Sequence, residues 1–93
     1  MYRHIVLFRI HDGVARERVT GATESLRSLA VLPGVASWRI DHSLDTRKGL
    51  VLVEDATFAD RSAFEAFRAD PRHETVAQQM SEISDWWIGD YET

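Results

Sequence analysis

The chain has 93 residues, 11 Lys and Arg against 15 Asp and Glu, a net charge of −4 and no cysteine. That length makes one domain, 1–93. The missing thiols exclude disulfides and thiolate metal sites, and the basic residues are too scattered for a nucleic-acid surface. A small cysteine-free chain has limited burial of its own, so association with a second copy is the expected supplement.

The opening "MYRHIVLFRIHDG" lacks the layout of a signal peptide, and no apolar run reaches the roughly 18 residues of a membrane span. The expected location is the cytoplasm, with no membrane contact. "YRHIVLFRI" predicts the first strand. His4, Val6, Phe8 and Ile10 share one face, and Arg3, Ile5, Leu7 and Arg9 the other. Apolar residues on both faces predict an internal strand. Asp12 is the expected cap of a helix whose apolar positions Ala15, Val19, Ala22, Leu26 and Leu29 recur at spacings of about 3.6 residues. Pro33 and Gly34 end it.

"VASWRIDHS" predicts the second strand, with Val35, Ser37, Arg39 and Asp41 on one face and Ala36, Trp38, Ile40 and His42 on the other. The polar turn "LDTRKG" leads into "GLVLVEDATF", and a hairpin is the simplest link between the two strands. Asp60 then caps a short helix carrying Ala63, Phe64 and Phe67. Asp70-Pro71 starts another, with Asp70 as N-cap and Pro71 as first helical residue. On that helix His73, Val76, Ala77, Met80 and Ile83 share a face. "DWWIGDYE" predicts the last strand.

The order β-α-β-β-α-(α)-β is the ferredoxin-like α+β arrangement, with helices on one face of a four-stranded antiparallel sheet. The other face needs cover, which a two-fold homodimer through the sheet faces provides. The aromatic residues are mostly core or interface fill. Asp90 and Tyr91 are a weaker polar pair, because adjacent strand residues face opposite sides and cannot both enter one pocket.

His73 is the most informative residue. It lies near a helix N-terminus on an apolar face, and both circumstances lower an imidazole pKa. A neutral ring at pH 7 can act as a general base. The alternative is a structural histidine bonded to a backbone carbonyl. His4 admits the same two readings, but together they say more: if the first strand is central, His4 and His73 face one cavity. The candidate catalytic residues are therefore His73 and His4. Val6, Phe8, Phe64, Phe67, Val76 and Met80 are the candidate walls of a pocket for a small apolar or aromatic ligand. His11 and His42 are expected in solvent. No HxH, HExxH or Gly-x-Ser-x-Gly pattern and no glycine-rich phosphate loop occurs, so neither a metal nor another cofactor is expected.

Together, "RHIVLFRIHDG", "LPGV", "VEDATFADRSAFEAFRADPRH" and "IGDYE" resemble the stress-responsive A/B barrel (Dabb) family over essentially the whole chain. The resemblance implies a ferredoxin-like protomer in a dimeric α/β barrel. It also implies a role in stress response or in cofactor-free chemistry of the olivetolic acid cyclase-like kind, in which a linear polyketide closes by aldol condensation. The histidine matching His73 is then the general base, and one matching His4 lies in the pocket. The sequence departs from that pattern at Phe67, where the cyclase has a supporting tyrosine, and near Leu52, where it has another pocket histidine. Two readings follow. One is a cofactor-independent enzyme, of cyclase, lyase or monooxygenase-like type, with a histidine base acting on a carbonyl-bearing or polyketide-like metabolite. The other is a non-catalytic ligand-binding or stress-response module.

Overall fold

The structure, a computed structural model, describes residues 1–93. The strands are β1 (Tyr2–Ile10), β2 (Val35–His42), β3 (Val51–Phe58) and β4 (Ser84–Glu92), and the helices α1 (Arg16–Ser28), α2 (Arg61–Ala69) and α3 (Pro71–Ile83). A short 3₁₀ turn, Leu29–Val31, follows α1. All strand pairs are antiparallel, in the order β2-β3-β1-β4. The ferredoxin-like architecture expected from the pattern is therefore present, and β1 is internal, between β3 and β4.

Strand alternation sorts the sheet into two faces. Toward the helices, Val6, Phe8 and Ile10 of β1 join Leu52, Ala56 and Phe58 of β3, all buried. The opposite face carries Ile5, Leu7, Val51, Val53, Trp87 and Tyr91, and no helix covers it. Leu7, Trp87 and Tyr91 are exposed.

Two local expectations are corrected. Asp12 does not cap α1; the N-cap is Ala15, which has no side chain able to accept an amide hydrogen. Asp12 instead pairs with Arg9 at 3.2 Å. Ala15 is accordingly exposed, and the neighbouring Val14 packs against the core in its place. In β2, a bulge between Val35 and Ser37 breaks the strict alternation. An extra residue at a bulge changes the phase of the strand. Val35 thus packs on the core side with Trp38 and Ile40, rather than with Ser37.

The other helix starts are as expected. The Asp60 side chain accepts from the Ala63 amide at 2.8 Å, and Asp70 from the Arg72 amide at 2.8 Å, with Pro71 in the first turn. Each cap supplies an acceptor to an amide left without an intrahelical partner. At the entry to β2, Gly34 has φ +88°, and a Cβ there would sit 3.1 Å from the Ala63 Cβ. The positive φ favours glycine, and the close approach lets α2 seat against the sheet. The Ser84 hydroxyl donates to the Met80 carbonyl at 2.6 Å as α3 passes directly into β4.

Candidate active site

Between β1, β4 and the helices lies a mostly apolar cavity of about 290 Å³. Of the candidate residues, His4, His73, Val6, Phe8, Phe64, Val76 and Met80 all line it. Two histidines 69 positions apart in the chain are thus brought to one space by the packing of α3 over the sheet. His11 and His42 are exposed, as expected.

Phe67 is a correction. It does not line the cavity but is 1% exposed behind it, with ring centroids 4.9 Å from Phe58, 5.5 Å from Trp38 and 4.8 Å from His73. Phe64 and Phe67 are one helical step of three residues apart, so their side chains diverge by about 60° around α2. That turns Phe64 toward β1, where its ring lies 4.5 Å from Tyr2 and 4.7 Å from His4, and Phe67 toward β2 and β3.

The two histidines are held in opposite ways. His73 is half-buried, and its Nδ1–H donates to the Arg68 carbonyl at 3.1 Å. A carbonyl only accepts, so this contact fixes the tautomer and leaves the lone pair on Nε2. No protein group bonds that nitrogen. Burial, the largest influence, holds the His73 pKa below its ordinary 6.5 against the opposing pull of the Arg68 carbonyl. The ring is neutral at pH 7.

His4 has no free nitrogen. Its Nδ1 lies 2.7 Å from Asp90 Oδ1 and its Nε2 3.1 Å from Glu54 Oε2. Burial pulls its pKa down, but the hydrogen bonds and charges of Glu54 and then Asp90 outweigh that, and the net direction is up. With a carboxylate at each nitrogen, the imidazolium satisfies both. Tyr2 extends the network, its hydroxyl donating to Asp90 Oδ2 at 2.6 Å. That bond, together with burial, raises the phenol pKa.

Sequence reading missed Glu54 and Asp90 as site residues. The signal was in the phase of the strands. Glu54 is the one charged residue in register with Leu52, Ala56 and Phe58, and Asp90 is in register with Trp86 and Ile88. A search for ligand spacing along the chain cannot find a cluster assembled from three strands. Of the adjacent pair at the end of β4, only Asp90 lines the cavity; Tyr91 lies opposite Arg3 on the other face.

Among known proteins, the chain is 28% identical to an uncharacterised protein of Streptomyces coelicolor over 99% of both chains. Three solved structures share the fold. A dimeric ferredoxin-like protein of unknown function from Thermobifida fusca superposes with a TM-score of 0.87 at 21% identity, over 99% of this chain and 90% of that one. The hydroxynitrile lyase of Passiflora edulis gives 0.84 at 18% identity, over 97% and 90%. SnoaB, a cofactor-independent oxygenase from Streptomyces nogalater, gives 0.76 at 20% identity, over 99% and 91%. The description "Stress Responsive A/B Barrel Domain" matches residues 2–93. With the element order, the antiparallel sheet and the two facing histidines already in place, that match settles the family: this chain is a member of the stress-responsive A/B barrel domain family.

Proposed function

We propose that the protein is a cofactor-independent enzyme in which Nε2 of His73 removes a proton from a small, mostly apolar molecule activated by a carbonyl group. The observation that carries this reading is the His73 geometry. One nitrogen is pinned to a backbone carbonyl, the other is basic and free, and the ring is kept neutral in an apolar wall. A base that is unprotonated at working pH and within reach of a desolvated substrate is what proton abstraction needs. The cavity, at about 290 Å³, lies at the lower end of the range of roughly 300–1,000 Å³ typical of ligand pockets. That size suits a molecule of one ring better than an extended polyketide chain. The fold resembles a lyase and a cofactor-independent oxygenase, which supports chemistry without a cofactor in this architecture.

His4 takes a different part from the one its position alone suggests. Both its nitrogens are engaged by carboxylates, so it does not contact the substrate as a donor in this arrangement. It instead holds Glu54 and Asp90 in place. That clamp is also the observation favouring the second reading, a ligand-binding module without turnover, since only one basic nitrogen is left free in the cavity.

The proposal extends to a homodimer through the uncovered sheet face. Ile5, Leu7, Val53 and Trp87 give that face an apolar centre, and Arg3 and Asp55 pair across it at 2.7 Å. A broad depression of about 590 Å³ between Leu7, Arg9, Lys48, Val51, Asp85 and Trp87 lies on the same side.

The test is deuterium uptake from D₂O into the α-carbon of phenylacetone and related small ketones, followed by NMR. The wild-type dimer, confirmed by sedimentation, should accelerate uptake, and His73→Asn should lose about 10²–10⁴ of the acceleration. Equal rates in the two proteins overturn the base assignment. Absence of acceleration across the ketones, with binding retained, establishes the binding module instead.

A further inference from the structure

We infer that Glu54 is the receptor for a hydroxyl group, and that the cavity's natural occupant is a hydroxylated molecule of about one ring. The inference rests on the reading of this cavity as the functional site and specifies the chemistry it admits.

Two carboxylates hold the same imidazolium, and they differ in how their oxygens are used. Asp90 uses both oxygens: Oδ1 accepts from His4 and Oδ2 from Tyr2. Glu54 uses one. Its Oε2 is 3.1 Å from His4 Nε2, and Oε1 accepts from no protein group; since no fully buried side-chain oxygen lacks a partner, Oε1 keeps surface open to the cavity. Yet Glu54 is 4% exposed and lines the cavity, while Asp90 lies nearer the surface. A carboxylate oxygen open only to a mostly apolar cavity is a charged acceptor, and a ligand that supplies a donor there gains a charge-assisted hydrogen bond. Every other inward position on β3 is apolar, so packing does not call for a carboxylate there.

The donor is a hydroxyl rather than an ammonium. The clamp holds two carboxylates against one imidazolium, but Arg68 also lines the cavity and has no carboxylate partner within ion-pair distance. Its charge offsets the clamp's surplus and opposes entry of a second cation. The body of the ligand meets Phe64, Val76, Met80 and Ile88, which accept only apolar surface.

The experiment compares three probes of one size by calorimetry on the wild-type protein: benzyl alcohol, benzyl methyl ether and benzylamine. Benzyl alcohol should bind about tenfold or more tightly than the ether, the scale of a hydrogen bond to a charged acceptor. Glu54→Gln should remove that preference or reverse it. The amide carries no charge, so the charge-assisted bond to the alcohol is lost, and where its oxygen accepts from His4 Nε2 the NH₂ group faces the ligand and can donate to the ether oxygen. Equal binding of alcohol and ether by the wild type, tighter binding of benzylamine than of the alcohol, or no saturable binding of any probe overturns the inference. If Glu54→Gln does not fold, the ratios in His73→Asn decide, because His73 Nε2 is the other free acceptor in the cavity. The same ratios measured in His73→Asn separate this inference from the base assignment. An alcohol preference that persists there belongs to Glu54, and its loss there assigns the hydroxyl to His73 and overturns the inference, while ketone exchange reports on His73 alone.

Discussion

The helix-covered face of the sheet has two halves that differ in kind. Over β2 and β3 it is filled: Phe58, Phe67 and Leu52 are almost wholly buried, and Trp38 closes the edge with its indole N–H donating to the Leu26 carbonyl at 3.0 Å. Over β1 and β4 it is hollow. Trp86 and Ile88 point to the same side as Phe8 and Val6, yet they are 47% and 59% exposed. Helix α2 marks the boundary, with Phe67 on the filled side and Phe64 on the hollow one. Packing is concentrated in one half, and the charged groups that face inward, His4, Glu54 and Asp90, are gathered at the other.

The largest effect is expected on the filled side. Phe67→Ala should cost about 4 kcal/mol in urea unfolding, as expected for a large-to-small change at a fully buried aromatic. A much smaller loss would mean that this half is also loosely packed.

The next effect is on the pH dependence of stability, where the histidines of the hollow half oppose each other. The folded-state pKa of His4 is raised, so its contribution is complete below about 6.5 and is lost as pH climbs through the raised value. The folded-state pKa of His73 is lowered. As pH falls below about 6.5 the unfolded chain takes up a proton that the folded chain resists, and stability falls until pH has dropped through the lowered value. Thermal unfolding across pH 5–9 should therefore show a maximum near 6.5. His4→Gln should flatten the alkaline side and His73→Gln the acidic side. A single slope in the wild type would mean that the two rings do not experience opposite surroundings.

The smallest effect is expected on the hollow side. Ile88→Ala should change protomer stability by no more than about 0.5 kcal/mol, as for an exposed position. The same change should weaken ligand binding, because Ile88 lines the cavity. A large loss of stability would instead show that this half carries weight in folding.

Much of this was readable from residue order. Alternation gave β1, β3 and the internal place of β1, and Asp60 and Asp70-Pro71 marked the starts of α2 and α3 correctly. The α1 start was misjudged because Asp12 has the right chemistry but lies too far ahead of the first turn. The bulge at Val35 was invisible because nothing in "VASW" demands an extra residue. At the site, His4 and His73 could be named from their faces. Their opposite states could not, since these depend on Glu54, Asp90 and the Arg68 carbonyl, which become neighbours only when the strands and helices pack. Phe67 was misplaced because a helical face is wider than one cavity, and three residues of rotation carry a side chain out of it.

The bonds at His4 also bear on how the sheet selects its pairing. Asp90 is the direct cross-strand neighbour of His4, whereas Glu54 lies opposite Val6, two residues along the other flanking strand. One ring therefore rivets three strands at a single alignment. A slip of either flank by one residue would swing its carboxylate to the far side of the sheet and strand the imidazolium without a counter-charge. Misaligned pairings are penalised electrostatically as well as by lost packing, and the polar centre is complete only once the final strand has docked.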